Sequence, residues 1–213
     1  MARPGMLYLA AAVLIAFPHS SLAAGRPYSS DEPAAVASSA VDEIRRWIGE
    51  TADNQGLPFL IVDKVHAQVL AFDPEGHMLG AAPVLLGLGH GDVSPPGVGD
   101  RPLAAIGPED RITPAGRFVA SMGENLGGKE ILWIDYDAAL SLHPVITTRP
   151  VDRRLQRLAT VTPQDNRISY GCVNVPRSFF YEVVEPAFTG TVGIVYILPE
   201  SRSLADVFFS APG

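Results

Sequence analysis

The chain carries one cysteine, Cys172, in the stretch "ISYGCVNV" at 168–175, behind a glycine and ahead of a short β-branched run. A lone thiol is either a small inert hydrophobe or a nucleophile whose thiolate reaches a substrate. As a nucleophile it needs a base, because a thiol with a pKa near about 8.5 is only a few per cent ionised at neutral pH. Beyond His19 near the start, the chain offers His66, His77, His90 and His143. His66 alternates with apolar neighbours in a predicted strand, and His77 falls on a predicted hairpin turn. His90 stands in a glycine-rich stretch beside Asp92. His143 ends an apolar run just before Pro144, where a strand end would present it on a rigid support, and alternation sets it opposite Leu140 and Leu142. His143 is therefore the predicted base. It lies 29 residues before Cys172, so only a fold that joins two strands can pair them.

The residues around the thiol have chemical readings of their own. Gly171 would let a substrate carbonyl approach the backbone, and the amides of Gly171 and Cys172 could hold the oxyanion formed on attack. Ser169 and Tyr170 are hydroxyl donors nearby, and Asn174 shares a side of an extended chain with Cys172. Each also has a plain reading, as a strand-end residue or a turn former bonded to its own backbone.

Those residues need a scaffold, and its elements are readable. Val36, Ala40, Ile44, Trp47 and Ile48 form one stripe at helical spacing, which predicts an amphipathic N-terminal helix. Three apolar runs, Leu57 to Asp63, Val65 to Phe72 and Met78 to Leu88, with "DPEG" between the last two, predict a β-meander. From Gly89 to Gly116 the chain is crowded with glycine, proline and aspartate, as in a long binding loop or lid. "GRFVASMG" and "EILWIDYDAALSL" return to strand content. "PVDRRLQRLATV" predicts a short helix burying Leu155 and Leu158. "PRSFFYEVVEPAF" predicts another, with Phe179, Phe180 and Val183 inward, and "GTVGIVYIL" a buried strand. The fold class is mainly β, a sandwich or barrel-type domain with a few short helices, preceded by the amphipathic helix.

Charge and leader bound the setting. Residues 1–23 begin with Arg3, run apolar from Met6 to Phe17 and end in small residues, which predicts a secretory signal peptide cut after Ala23 or Ala24. That run is too short for a helix crossing about 30 Å of hydrocarbon. The whole chain has a net charge of −7, and loss of Arg3 makes it about −8, a poor surface for nucleic acid or anionic membranes. An exported chain with one cysteine closes no internal disulfide. The expectation is a protein of the periplasm or cell envelope, without a stable membrane span once the leader is removed.

"SYGCVNV" resembles the Ser-x-Gly-Cys signature of the L,D-transpeptidase catalytic domain, the YkuD-type fold. "TPAGRF" at Thr113 to Phe118 resembles the Thr-Pro-x-Gly-x-Phe segment found upstream in that family. The resemblance runs from about Leu57 to Leu198. With the leader at 1–23 and the linker and amphipathic helix at 24–56, it gives a catalytic domain at 57–200 and a tail at 201–213. It also implies acyl transfer through a Cys172 thioester, with His143 as base, peptidoglycan stem peptides as substrate, 3→3 crosslinks as product, and no metal or other cofactor. Water as acceptor would make the protein an L,D-carboxypeptidase, and a protein lysine would tether a protein to the wall. Four departures stand out: His143-Pro144-Val145 replaces His-Gly-Ser/Thr, Tyr170 replaces a histidine, Asn174 replaces an arginine, and the segment from His143 to Cys172, carrying "RPVDRRLQRLATVTPQDN", is longer than usual. The first leaves open what orients His143, a backbone carbonyl or another residue. The remaining alternatives are a zinc peptidase using His90, Asp92 and His143, a non-catalytic peptidoglycan-binding envelope protein, and a thiol redox protein lacking Cys-x-x-Cys. Oligomeric state is not readable from the chain.

Overall fold

A computed structural model describes residues 37–209. The predicted leader and Val36 lie outside the described residues. Ten strands run in chain order: β1 Phe59–Asp63, β2 Gln68–Phe72, β3 Met78–Pro83, β4 Leu86–Gly87, β5 Gly116–Glu124, β6 Glu130–Asp135, β7 Leu140–Pro144, β8 Arg167–Ser169, β9 Val173–Val175 and β10 Val192–Ile197. Eight of them form one sheet in the order β3-β2-β1-β10-β5-β6-β7-β9, and β4 pairs with β8 in a small second one. Most neighbours are antiparallel, but β1 runs parallel to β10 and β7 parallel to β9. Leu85, just past β3, exchanges two backbone hydrogen bonds with Asn174 of β9, at 2.8 and 2.9 Å. That bridge curls the sheet back almost onto its own first edge. The mainly β architecture with few helices is thus the one expected.

The central strands read as unbroken apolar runs because both of their faces are covered. Leu60, Val62, Val69 and Val195 face an inner core with Phe179, Phe180, Val183 and Phe188 of the helix spanning 177–188. Phe59, Ile61, Leu70 and Tyr196 face a second cluster under α1, Ser39–Thr51. Ser38 caps α1, accepting from the Val41 N–H and donating to Asp63 at 2.7 Å, so the helix is tied to the end of β1. Phe208, with Leu204 and Val207 packed against it, belongs to the same cluster, so this part of the predicted tail is built into the domain.

Several sequence readings are corrected. Val65 to Ala67 form a turn, and His66 sits there on the Asp63 carboxylate instead of in a strand. The run Met78 to Leu88 divides between β3 and β4, in different sheets. The strand content expected of "EILWIDYDAALSL" is present, as β6 and β7 about a tight turn. The helix α2, Arg154–Leu158, buries Leu158 but leaves Leu155 56% exposed.

The long loop between β4 and β5 holds three short 3₁₀ turns and is anchored at its base by buried charge. Lys64, 1% exposed, donates to Gly91 O (2.6 Å), Asp92 Oδ1 (2.7 Å) and Thr113 O (2.9 Å). Asp92 in turn accepts from the backbone N–H groups of Glu200, Ser201 and Arg202, at 2.8, 2.9 and 2.9 Å. Glu200 pairs with Arg167 of β8. Burial would raise the Asp92 carboxyl, but Lys64, Ser201 and those amides outweigh it and hold the group below the ordinary carboxylate range. Glu200 is lowered too, burial being outweighed by the Gly91 N–H, Arg167 and Lys64. Both ends of the loop are thereby fixed against β8, the strand that leads to Cys172.

Candidate active site

Cys172 follows the tight turn that leaves β8. Ser169 shapes that turn: its Oγ donates to the Cys172 carbonyl at 2.7 Å and accepts from the Gly171 N–H at 3.1 Å. Gly171 has φ +128°, and a Cβ there would meet Ile112 O at 2.8 Å. The close approach that this glycine permits is made by the protein's own loop, with φ excluding most other residues. Beside it, Thr113 Oγ1 donates to Gly171 O at 2.7 Å and accepts from the Gly87 N–H at 2.8 Å. Gly87 is required as well, since a Cβ would collide with the Arg111 carbonyl oxygen. Thr113 therefore joins the "TPAGRF" segment directly to "SYGCVNV", two motifs far apart in the chain.

β7 and β9 run side by side in parallel, with His143 opposite Asn174. This is the strand junction that pairing across 29 residues demands. His143 Nδ1 lies 2.9 Å from Pro144 O, so a backbone carbonyl fills the orienting place that the sequence left open. The thiol touches Ser141 Oγ, two residues before His143 on β7, and Ala139 O, each at 3.5 Å. Burial pushes the Cys172 thiol up. The hydrogen bond and charge of His143, helped by the Ser141 hydroxyl and backbone N–H, outweigh it, and the thiol ends below its ordinary pKa. Ser141 was not singled out from sequence. Its alternation with Leu140 and Leu142 was visible, but not that its side would meet the thiol.

The flanking residues fall into distinct roles. Tyr170 lies under the Arg111 guanidinium, 3.9 Å from the ring centre, which packs the loop onto the thiol turn. The Gly171 N–H, expected beside that of Cys172 as an oxyanion donor, is bound to Ser169. Among the described residues, none accepts from the Cys172 N–H. Asn174 is buried, and its Nδ2 donates to Cys172 O at 3.2 Å and faces His143 Nε2 at 3.5 Å, while its Oδ1 accepts from Arg154 at 2.8 Å. A small cleft opens at the thiol, lined by Ser94, Val98 and Ile112 of the long loop, by Ala138 and Ala139 of the β6–β7 turn, and by Tyr170. The loop is thus part of the site wall.

The residues of the zinc alternative do not meet. His90 is exposed on Glu200, Asp92 is buried on Lys64, and His143 lies on β7 against Pro144 O and Asn174. Among the described residues, the one group with metal-type ligands in reach of each other is Asp73, Glu75 and His77, on the β2–β3 turn. No described helix is long and apolar enough to cross a membrane.

No family model matches the chain, and no curated protein matches it closely. Among solved structures it is similar to the catalytic domain of the L,D-transpeptidase of E. faecium, at 16% identity and a TM-score of 0.39, over 66% of this chain and 95% of that one. It is also similar to the L,D-transpeptidase of Xylanimonas cellulosilytica, at 13% identity and a TM-score of 0.36, over 67% of this chain and 60% of that one. A third is the helical cell shape determining protein Pgp2 of Campylobacter jejuni, at 14% identity and a TM-score of 0.43, over 74% of this chain and 55% of that one. The chain spans little more than half the length of the last two.

Proposed function

We propose that the protein is a cysteine acyltransferase acting on peptidoglycan stem peptides, an L,D-transpeptidase with Cys172 as nucleophile and His143 as base. The observation that carries this reading is the parallel β7–β9 pairing, which sets His143 opposite Asn174, two residues from Cys172, and puts Ser141 Oγ of the same strand as His143 at 3.5 Å from the thiol; a thiol drawn below its ordinary pKa by His143 agrees with it. The contact of Thr113 with Gly171, which unites the two segments resembling that family, supports it.

The chemistry follows from the geometry. With hydrogen on Nδ1 bonded to Pro144 O, His143 Nε2 carries the lone pair, and it takes the thiol proton by giving up its long 3.5 Å contact with Asn174 Nδ2. The thiolate attacks the carbonyl of the third stem residue, and the oxyanion is received by the Cys172 N–H, the amide at this turn that Ser169 leaves free. The C–N bond to the terminal D-alanine breaks, and His143 returns the proton to its amine. A thioester on Sγ remains. A neighbouring stem amine attacks it, giving its proton to His143 and restoring the thiol, with a 3→3 crosslink formed. Such a substrate lies outside the cytoplasm, which agrees with a leader at 1–23 and places the mature protein in the periplasm or cell envelope.

The test is incubation with a disaccharide tetrapeptide, with products read by mass. A crosslinked dimer with released D-alanine is the expected result. A tripeptide alone would assign water as the acceptor, making the protein a carboxypeptidase. Binding to sacculi without turnover, unchanged in Cys172→Ala, would overturn the catalytic reading.

A further inference from the structure

Arg154 opens α2 in the segment between β7 and β8, and its guanidinium is fixed at both ends. Nε donates to Asp152 Oδ2 at 3.2 Å and Nη1 to Asn174 Oδ1 at 2.8 Å. A guanidinium has donors only, so the amide atom facing it must be the oxygen. The other end of the same amide, Nδ2, is thereby aimed at Cys172 O and at His143 Nε2. His143 thus meets a donor at Nε2 and an acceptor, Pro144 O, at Nδ1. A neutral imidazole satisfies both in one tautomer alone, with hydrogen on Nδ1 and the lone pair on Nε2. That tautomer is the one able to take the thiol proton.

We propose that Arg154 is a positioning residue: it holds the Asn174 amide in one orientation and, through it, keeps His143 in the proton-accepting tautomer. The proposal rests on the reading of Cys172 and His143 as nucleophile and base. Without the guanidinium the amide is held only by its longer Nδ2 contacts, 3.2 Å to Cys172 O and 3.5 Å to His143 Nε2, so the orientation with Oδ1 toward Nε2 becomes populated, and in that fraction hydrogen on Nε2 competes with hydrogen on Nδ1. Nothing in the composition of the "RPVDRRLQRL" segment distinguishes this arginine from Arg153 or Arg157; its partners do.

Two readouts independent of turnover test it: the imidazole nitrogen NMR shifts of His143, and the rate at which iodoacetamide alkylates Cys172 at neutral pH. The parent should show hydrogen on Nδ1. Arg154→Ala should show a tautomer mixture and alkylate about tenfold more slowly, as the loss of one hydrogen bond to a charged group predicts. Arg154→Lys, which keeps one donor for Oδ1, should recover most of the rate. In an Asn174→Ala background Arg154→Ala should change neither readout, because the amide through which it acts is gone. If Arg154→Ala keeps the parent tautomer and rate while His143→Ala slows alkylation, the role of Arg154 falls and the pair stands. If His143→Ala leaves alkylation unchanged, the pair itself falls. Should Arg154→Ala not fold, Arg154→Lys carries the test. Equal effects of that change with and without the Asn174 amide would overturn the proposal.

Discussion

The two ends of β8, a strand of three residues, lead into opposite kinds of chemistry. At its start Arg167 joins the Lys64, Asp92 and Glu200 cluster, where Lys64 is fully used: an ammonium has three N–H groups, and Lys64 places all three at 2.6–2.9 Å. Past its end Cys172 keeps contacts of 3.5 Å to Ser141 and Ala139, beside a histidine. A buried charge left partly unpaired is costly, so the first region has to be complete. The proposed nucleophile, were it tightly bonded at rest, would have to break those bonds to react, and the loose contacts of the second region suit that role. Thr113 touches both, with its carbonyl on Lys64 and its hydroxyl on Gly171 O. The saturated region thereby holds still the turn on which the reactive one depends.

That division can be broken from either side. Cys172→Ala should abolish D-alanine release and leave the thermal midpoint nearly unchanged, and His143→Ala should lose almost as much activity, since nucleophile and base act as a unit. A grossly unfolded Cys172→Ala would make the thiol a core residue instead. Lys64→Ala should do the reverse, lowering stability by about 3–5 kcal/mol in urea unfolding because Asp92 is left buried without its cation. Thr113→Val, between the two, should cost about 1–3 kcal/mol and also slow turnover, because the Gly87 N–H and Gly171 O lose their shared hydroxyl.

Acid sharpens the contrast. Asp92 and Glu200 hold a proton less tightly folded than unfolded. The unfolded chain therefore binds more protons as pH falls below the carboxylate range near about 4, and stability present above that range is lost below it. Thermal midpoints between pH 6 and pH 2 should show the loss, and Asp92→Asn should flatten it. At the other end the pH midpoint of Cys172 alkylation should lie below that of an ordinary thiol and rise toward it in His143→Ala. The smallest effect belongs to His90→Ala. Its ring is exposed on the rim of the charged cluster, so stability should move by less than about 0.5 kcal/mol and turnover not at all. A large loss of turnover there would move part of the chemistry out of the β7–β9 junction.

The reactive end was far more legible in the sequence than the saturated one. Cysteine and histidine announce their chemistry by type, and a glycine before a lone thiol marks a turn. Lys64 ends an apolar run and has nothing local to distinguish it, because its partners stand 28 and 49 residues away at Asp92 and Thr113. Asp92 was visible only as a neighbour of His90, a residue whose side chain turns the other way, to solvent. For the same reason Ser141 and Arg154 passed unmarked: their roles depend on which strand lies alongside, and periodicity does not say. Leu155 and Leu158 show the limit within one short helix, where spacing identified the element but not which leucine its single buried face would take.

The order of the sheet has a bearing on how the molecule is made. Among the described residues β10 is the last strand in sequence and a middle strand in the sheet, between β1, with Phe59 opposite Ile194, and β5, with Ala120 opposite Gly193. The meander β1–β3 and the half that carries β5 to β9 therefore gain their shared partner only after nearly the whole described chain exists. A parallel pairing of such long sequence separation closes a large loop before it yields any contact, so folding is slow and follows synthesis. Until β10 inserts, β1 and β5 each present an open edge, the condition in which a chain is held unfolded most easily and is also most exposed to mispairing.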